Sequence, residues 1–61
     1  MGRWDDREKA LDLNNDGVDL FEQEKFEESI TCYDEAIRLN PENEFVWVNK
    51  GVSLCELEKY G

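Results

Sequence analysis

The residues best suited to chemistry in this chain lie in Asp12-Leu13-Asn14-Asn15-Asp16-Gly17. Side-chain oxygens at alternate positions with a glycine at the sixth reproduce the first half of a calcium-binding loop. The second half fails: the closing bidentate glutamate is replaced by Gln23, and the apolar eighth position by Asp19. The pattern therefore reads as a solvated helix face, and no metal is expected. Two cysteines, Cys32 and Cys55, are present but no histidine, so neither thiol has an imidazole to take its proton. They form no CxxC pair and read as free, partly buried thiols of a reducing compartment. Ser29 and Ser53 fall within helical patterns and not at a nucleophile turn, and the isolated Gly17 and Gly51 make no phosphate-cradling loop. No carboxylate has an evident apolar setting that would tune it for acid–base work. Neither enzymatic activity nor a cofactor is expected.

The 61 residues allow one small domain. A chain of this length buries only ~60% of its unfolded surface, so its core is marginal. Sixteen acidic residues against seven basic ones give a net charge of −9. Phosphate backbones need a positive surface, which excludes nucleic acid as a partner; a basic protein segment suits the charge. No stretch approaches the ~20 apolar residues of a membrane span, and no basic-then-apolar leader opens the chain. A soluble, cytoplasmic protein with no membrane role is expected.

These residues must be positioned by helices, and the chain repeats itself in doing so. Aligning Val48–Gly61 with Asn14–Glu27 at an offset of 34 gives seven identities in fourteen positions. They are Asn15/Asn49, Gly17/Gly51, Val18/Val52, Leu20/Leu54, Glu22/Glu56, Glu24/Glu58 and Lys25/Lys59, with Phe26/Tyr60 a close substitution. A 34-residue period of two helical segments implies stacked hairpins, none of which buries its apolar stripe alone.

In chain order, Met1–Arg3 reads as a frayed end, Asp5 or Asp6 as a helix cap, and Trp4 as a packing anchor. The spacing predicts a first helix over Arg7–Gln23, with Leu13, Gly17, Leu20 and Glu24 on one face and Leu11, Val18 and Phe21 beside it. Mid-helix Gly17, recurring as Gly51, predicts close approach of another helix backbone. Glu24–Lys25 is the connection, although neither residue breaks a helix. A second helix is predicted over Phe26–Asn40, its stripe formed by Phe26, Ser29/Ile30, Tyr33 and Ala36/Ile37 and closed by Pro41. A third is predicted over Glu44–Leu57, with Trp47, Gly51 and Leu54 on one apolar face and Phe45, Val48, Val52 and Cys55 on another. A helix apolar on two sides expects cover on two sides. The sequence stops where the next helix would begin, as if cut within a repeat.

These residues resemble the tetratricopeptide repeat family. Within residues 10–43, Gly17, Leu20, Tyr33, Ala36 and Pro41 occupy signature places, and Phe26 stands where tyrosine is usual. In the next unit Trp47, Gly51, Leu54 and Tyr60 do the same. Leu13 replaces the usual tryptophan, Ser29 a small alanine, and Glu24 and Glu58 the turn glycine or asparagine. The resemblance implies an all-α, three-helix fragment of an α-solenoid. Residues 1–9 form its tail or helix start, 10–43 one unit, and 44–61 the first helix of a truncated second. Leu13, Gly17, Leu20, Phe26, Ile30, Tyr33, Ala36, Ile37, Pro41, Trp47, Gly51 and Leu54 are then repeat-packing positions. A concave groove for a peptide or protein segment is implied, presenting Leu11, Asn14, Val18, Phe21 and Glu22 from the first repeat, and Phe45, Val48, Asn49, Val52 and Cys55 from the second. The carboxylate clamp of some members is not expected, because Asn14 and Val18 stand at its places and only Asn49 matches.

Two readings follow. One is a module that binds a peptide or protein segment, basic and hydrophobic in character. The other is a homodimer formed through the uncovered third-helix face. In that case the first two helices can merge across Glu24–Lys25 and exchange between chains.

Overall fold

The computed structural model describes the backbone of residues 3–60 and the side chains of residues 6–59. It contains three helices, α1 (Arg3–Glu22), α2 (Phe26–Leu39) and α3 (Glu44–Tyr60), with no strand among the described residues. The all-α expectation is met. Helix α2 packs against both α1 and α3, which meet each other at only a few points.

Helix α1 begins at Arg3 rather than Arg7, because nothing in Arg3–Arg7 breaks a helix and the acidic residues there complement its N-terminus. Asp6 therefore lies inside the first turns instead of capping them. The expected roles of the Trp4, Asp5 and Tyr60 side chains fall outside the described residues. Helix α3 continues beyond Leu57 to Tyr60.

The two helices of the first hairpin do not merge. Lys25 N–H donates to the Leu20 carbonyl and Glu24 N–H to the Phe21 carbonyl, both at 2.9 Å. These are the two crossed bonds of a Schellman C-cap. The residue that normally makes this turn is glycine, but here Glu24 takes it, at φ 63°. A side chain in that left-handed region costs about 1–2 kcal/mol. Burial between α1 and α2 supplies what the turn lacks, and the Phe21 and Phe26 rings meet edge-on beside it, 5.2 Å apart at 67°.

Helix α2 buries Phe26, Ser29, Tyr33 and Ala36, the stripe its spacing predicts. It ends at Leu39, one residue early; Asn40 N–H still donates to the Ala36 carbonyl, and Pro41 follows. Asn43 then caps α3, its Oδ1 accepting the Phe45 N–H at 3.0 Å.

Helix α3 departs from expectation. The residues it buries are Val46 and Ser53, which belong to neither predicted face. Apolar residues run round most of this helix, so periodicity could not select the inward side. Compact Val46 and Ser53 admit α2 closely, while Trp47, Leu54, Phe45, Val48 and Val52 stay exposed. The core joins Ala10, Tyr33, Ala36 and Val46, flanked by Leu13, Val18, Ile37 and Leu39. Leu20 and Ile30 are half-buried. Pro41 is exposed, yet its carbonyl accepts the Trp47 indole N–H at 2.9 Å.

Gly17 serves close approach, but of a ring and not of a backbone. A β-carbon there would stand 2.4 Å from Tyr33 Cε1. At Gly51 a β-carbon would meet nothing within 4 Å among the described residues.

Candidate functional site

Helix α2 holds α1 and α3 apart on its surface, and the space between them is the site. Val18 and Phe21 from α1, Asn49 and Val52 from α3 and Tyr33 from α2 line a cavity of about 120 Å³. Small-molecule sites run to ~300–1,000 Å³, so this one has room for a single side chain. The ring of Tyr33 reaches between the outer helices because Gly17 leaves it the space.

Four of the implied groove residues, Val18, Phe21, Asn49 and Val52, are thus brought together. Asn14 joins them through a hydrogen bond in which Asn49 Nδ2 donates to Asn14 Oδ1 at 2.9 Å, tying α3 to α1. The amide at Asn49, the one position that matched a carboxylate clamp, is spent on this link. Leu11, Phe45, Val48 and Cys55 are exposed and take no part in the cavity, and Glu22 is also exposed. Tyr33, assigned from sequence to packing alone, is a lining residue as well. The signal for it was the mid-helix glycine, which leaves room for a bulky neighbour.

Beneath the cavity runs a seam of hydroxyls. Ser29 Oγ lies 2.7 Å from the Phe26 carbonyl and 3.0 Å from Ser53 Oγ, and both serines are fully buried. A carbonyl only accepts, so Ser29 gives it its proton and Ser53 donates to Ser29. Burial raises the Tyr33 phenol above its ordinary value, the nearby Ser53 hydroxyl opposes this, and the Cys32 thiol adds to it. Beside the seam, Lys50 Nζ reaches Asp34 Oδ1 at 2.6 Å.

The remaining candidates do not converge. Asp12–Gly17 lies within α1, whose helical backbone spreads its oxygens round the axis and away from a common centre. Cys32 is half-buried, and its thiol is raised first by burial and then by the charges of Asp16 and Glu28, which keep it protonated and a poor nucleophile. Cys55 is exposed, contrary to the partly buried position expected of both thiols. Among the described residues no helix is long and apolar enough to cross a membrane.

Comparison with known proteins points the same way as the geometry. The family model described as TPR repeat matches residues 17–57. Protein STIP1 homolog of Dictyostelium discoideum is 33% identical over 52 residues, covering 85% of this chain and 9% of that protein. The chain therefore spans less than a tenth of that relative's length. No solved structure matches it significantly.

Proposed function

Because the chain belongs to the tetratricopeptide repeat family, we propose that it is a protein–protein interaction module whose α1–α3 groove takes up an apolar side chain of an extended peptide. In this reading residues 10–43 form one repeat unit and 44–61 open a second. The carrying observation is the cavity over Tyr33, walled by Val18, Phe21 and Val52 and edged by the Asn49 amide. Apolar walls with one polar edge suit a side chain anchored beside a peptide backbone. The net charge of −9 favours segments with basic residues flanking the apolar anchor. A reducing cytoplasm suits the two free thiols. The role is recognition and not catalysis.

Titrating lysine-flanked leucine and phenylalanine peptides, followed by calorimetry and by amide shifts, tests the reading. Shifts confined to Val18, Phe21, Asn49 and Val52, lost in Val52→Glu, are expected. Saturating peptide that leaves those amides unmoved rejects the groove as a binding site.

A second reading, a homodimer through the far face of α3, draws on a separate observation. Trp47 and Leu54 are 50% and 43% exposed on the side of α3 turned away from the groove. An apolar helix face left open favours a partner. Light scattering over a concentration series tests it, and a 7.2 kDa species that persists to high concentration removes it.

A further inference from the structure

The groove has a polar strut. Its walls are apolar at Val18, Phe21 and Val52, and beside them Asn49 Nδ2 donates to Asn14 Oδ1 at 2.9 Å. This bond joins two helices that meet at only a few points. It is partly buried, which limits the water that competes for it. The fold does not depend on it. Helix α1 docks on α2 through Tyr33 over Gly17, and α3 does so through Val46, Ser53 and Lys50. What the strut changes is the groove.

The link uses only part of the two amides. Each side chain carries one carbonyl oxygen and one amino group, and an amide–amide bond spends one of each. Whichever way the pair is turned, one oxygen and one amino group are left over. Among the described residues neither side chain makes a further hydrogen bond. The remainder is an acceptor and a donor held together beside an apolar cavity. A carboxylate has acceptors only, so it would press an oxygen against the free amide oxygen, on a chain already carrying −9. An extended peptide supplies both groups, because the N–H and C=O of one residue point to the same side.

Resting on the groove reading above, we infer that Asn14 and Asn49 act as one two-point reader of peptide backbone. The free amide oxygen takes the N–H, and the free amino group the C=O, of the ligand residue whose side chain fills the cavity. Asn14 is what makes this possible, since its bond stops the Asn49 amide from turning. The ligand is then an internal, extended stretch of another chain, with basic residues flanking its apolar anchor, and not a free C-terminus.

The test is calorimetry of the full chain with a lysine-flanked leucine peptide capped at both ends. It is compared with an analogue in which an ester oxygen replaces the leucine N–H. The wild type should bind the ester about fivefold more weakly, the weight of one net hydrogen bond. Asn14→Ala should keep its helices, because alanine is the better helix former, but lose the difference between the two peptides. Asn14→Asp should restore it, because a carboxylate there still accepts from Asn49 and fixes its amide. A stability effect alone would move both affinities together and leave their ratio unchanged. In a second pair, a peptide ending at the leucine as a carboxylate should bind the wild type more weakly than one ending as a primary amide. If no peptide shifts the amides of Val18, Phe21, Asn49 and Val52, the groove reading falls and this inference with it. If the capped peptide binds but the ester binds equally well, the backbone reader alone is overturned. An ester penalty undiminished in Asn14→Ala, or a preference for the carboxylate end, overturns it too.

Discussion

Helix α2 is gripped on its two sides by different chemistry. Against α1 the contact is apolar and steric, with the Tyr33 ring over Gly17 and Ala10, Leu13 and Val18 at the core or against it. Against α3 Val46 adds an apolar contact, but hydroxyls and charge join it: Ser29 with Ser53, and Lys50 with Asp34. The two outer helices nonetheless share five residues in register, Asn15, Gly17, Val18, Leu20 and Glu22 of α1 with Asn49, Gly51, Val52, Leu54 and Glu56 of α3. Shared residues therefore specify the same helix and the same family of surfaces, whereas the partner actually present decides which surface is buried. Gly17 and Gly51 make the point: the same residue is a filled socket in one helix and an open one in the other.

The largest effect should separate those two glycines. Gly17→Val forces branched carbon into the Tyr33 ring, an overpacking that costs about 3 kcal/mol where neighbours cannot yield. A domain this small has only ~3–5 kcal/mol to lose, so the helical signal should melt near or below room temperature. Equal melting of Gly17→Val and wild type would mean that the ring does not sit over Gly17.

Next in size is the seam on the α3 side. Ser53→Ala removes the buried hydroxyl that donates to Ser29, a hydrogen bond worth about 0.5–1.5 kcal/mol. Because the loss is local to α3, hydrogen exchange should accelerate there before it does in α1. Uniform acceleration across all three helices would show that the seam does not define a separate contact.

Legibility in the sequence divided along the same line. The stripe of α2 could be read because its apolar and charged residues alternate at helical spacing, so Phe26, Ser29, Tyr33 and Ala36 were evident as inward. The inward side of α3 could not. Its apolar residues surround the axis, so Val46 does not stand out among them, and Ser53, which also packs, is polar. Of the residues lining the cavity, Val18, Phe21, Asn49 and Val52 are among the positions that the family resemblance implied, but Tyr33 enters only through the absence of a side chain at Gly17. The first connection was placed at Glu24–Lys25, where the structure has it, but its geometry was hidden. Glu24 announces no turn, and its left-handed conformation is imposed by the packing of the helices on either side.

Two glycine exchanges should then act in the stabilising direction and by smaller amounts. Glu24→Gly relieves the left-handed strain at the cost of a freer unfolded chain, for a net gain of about 0.5–1 kcal/mol. Gly51→Ala meets open space and should gain about 1 kcal/mol from helix propensity alone. Both are read from urea unfolding at low protein concentration, where association contributes nothing. A loss of stability in Gly51→Ala would place an unseen neighbour at Gly51 and erase its contrast with Gly17.

The smallest effect concerns charge at the α3 side. The Lys50–Asp34 pair is short, at 2.6 Å, but its side chains are 30% and 53% exposed, so solvent screens much of its attraction. Exposed pairs of this kind contribute about 0.2–1 kcal/mol. Asp34→Asn by itself misleads, because removing a carboxylate from a chain of net charge −9 also relieves general repulsion and offsets the loss. The informative quantity is the coupling in a double-mutant cycle of Asp34→Asn with Lys50→Met, expected near 0.5 kcal/mol at low ionic strength. It should fade in 1 M salt, where the screening length falls to about 3 Å. Under the same change Gly17→Val should keep its full cost, since a steric clash has no counterion. A coupling that survives high salt would mean that the pair is shielded from solvent and that α3 is docked more tightly than its exposed rim implies.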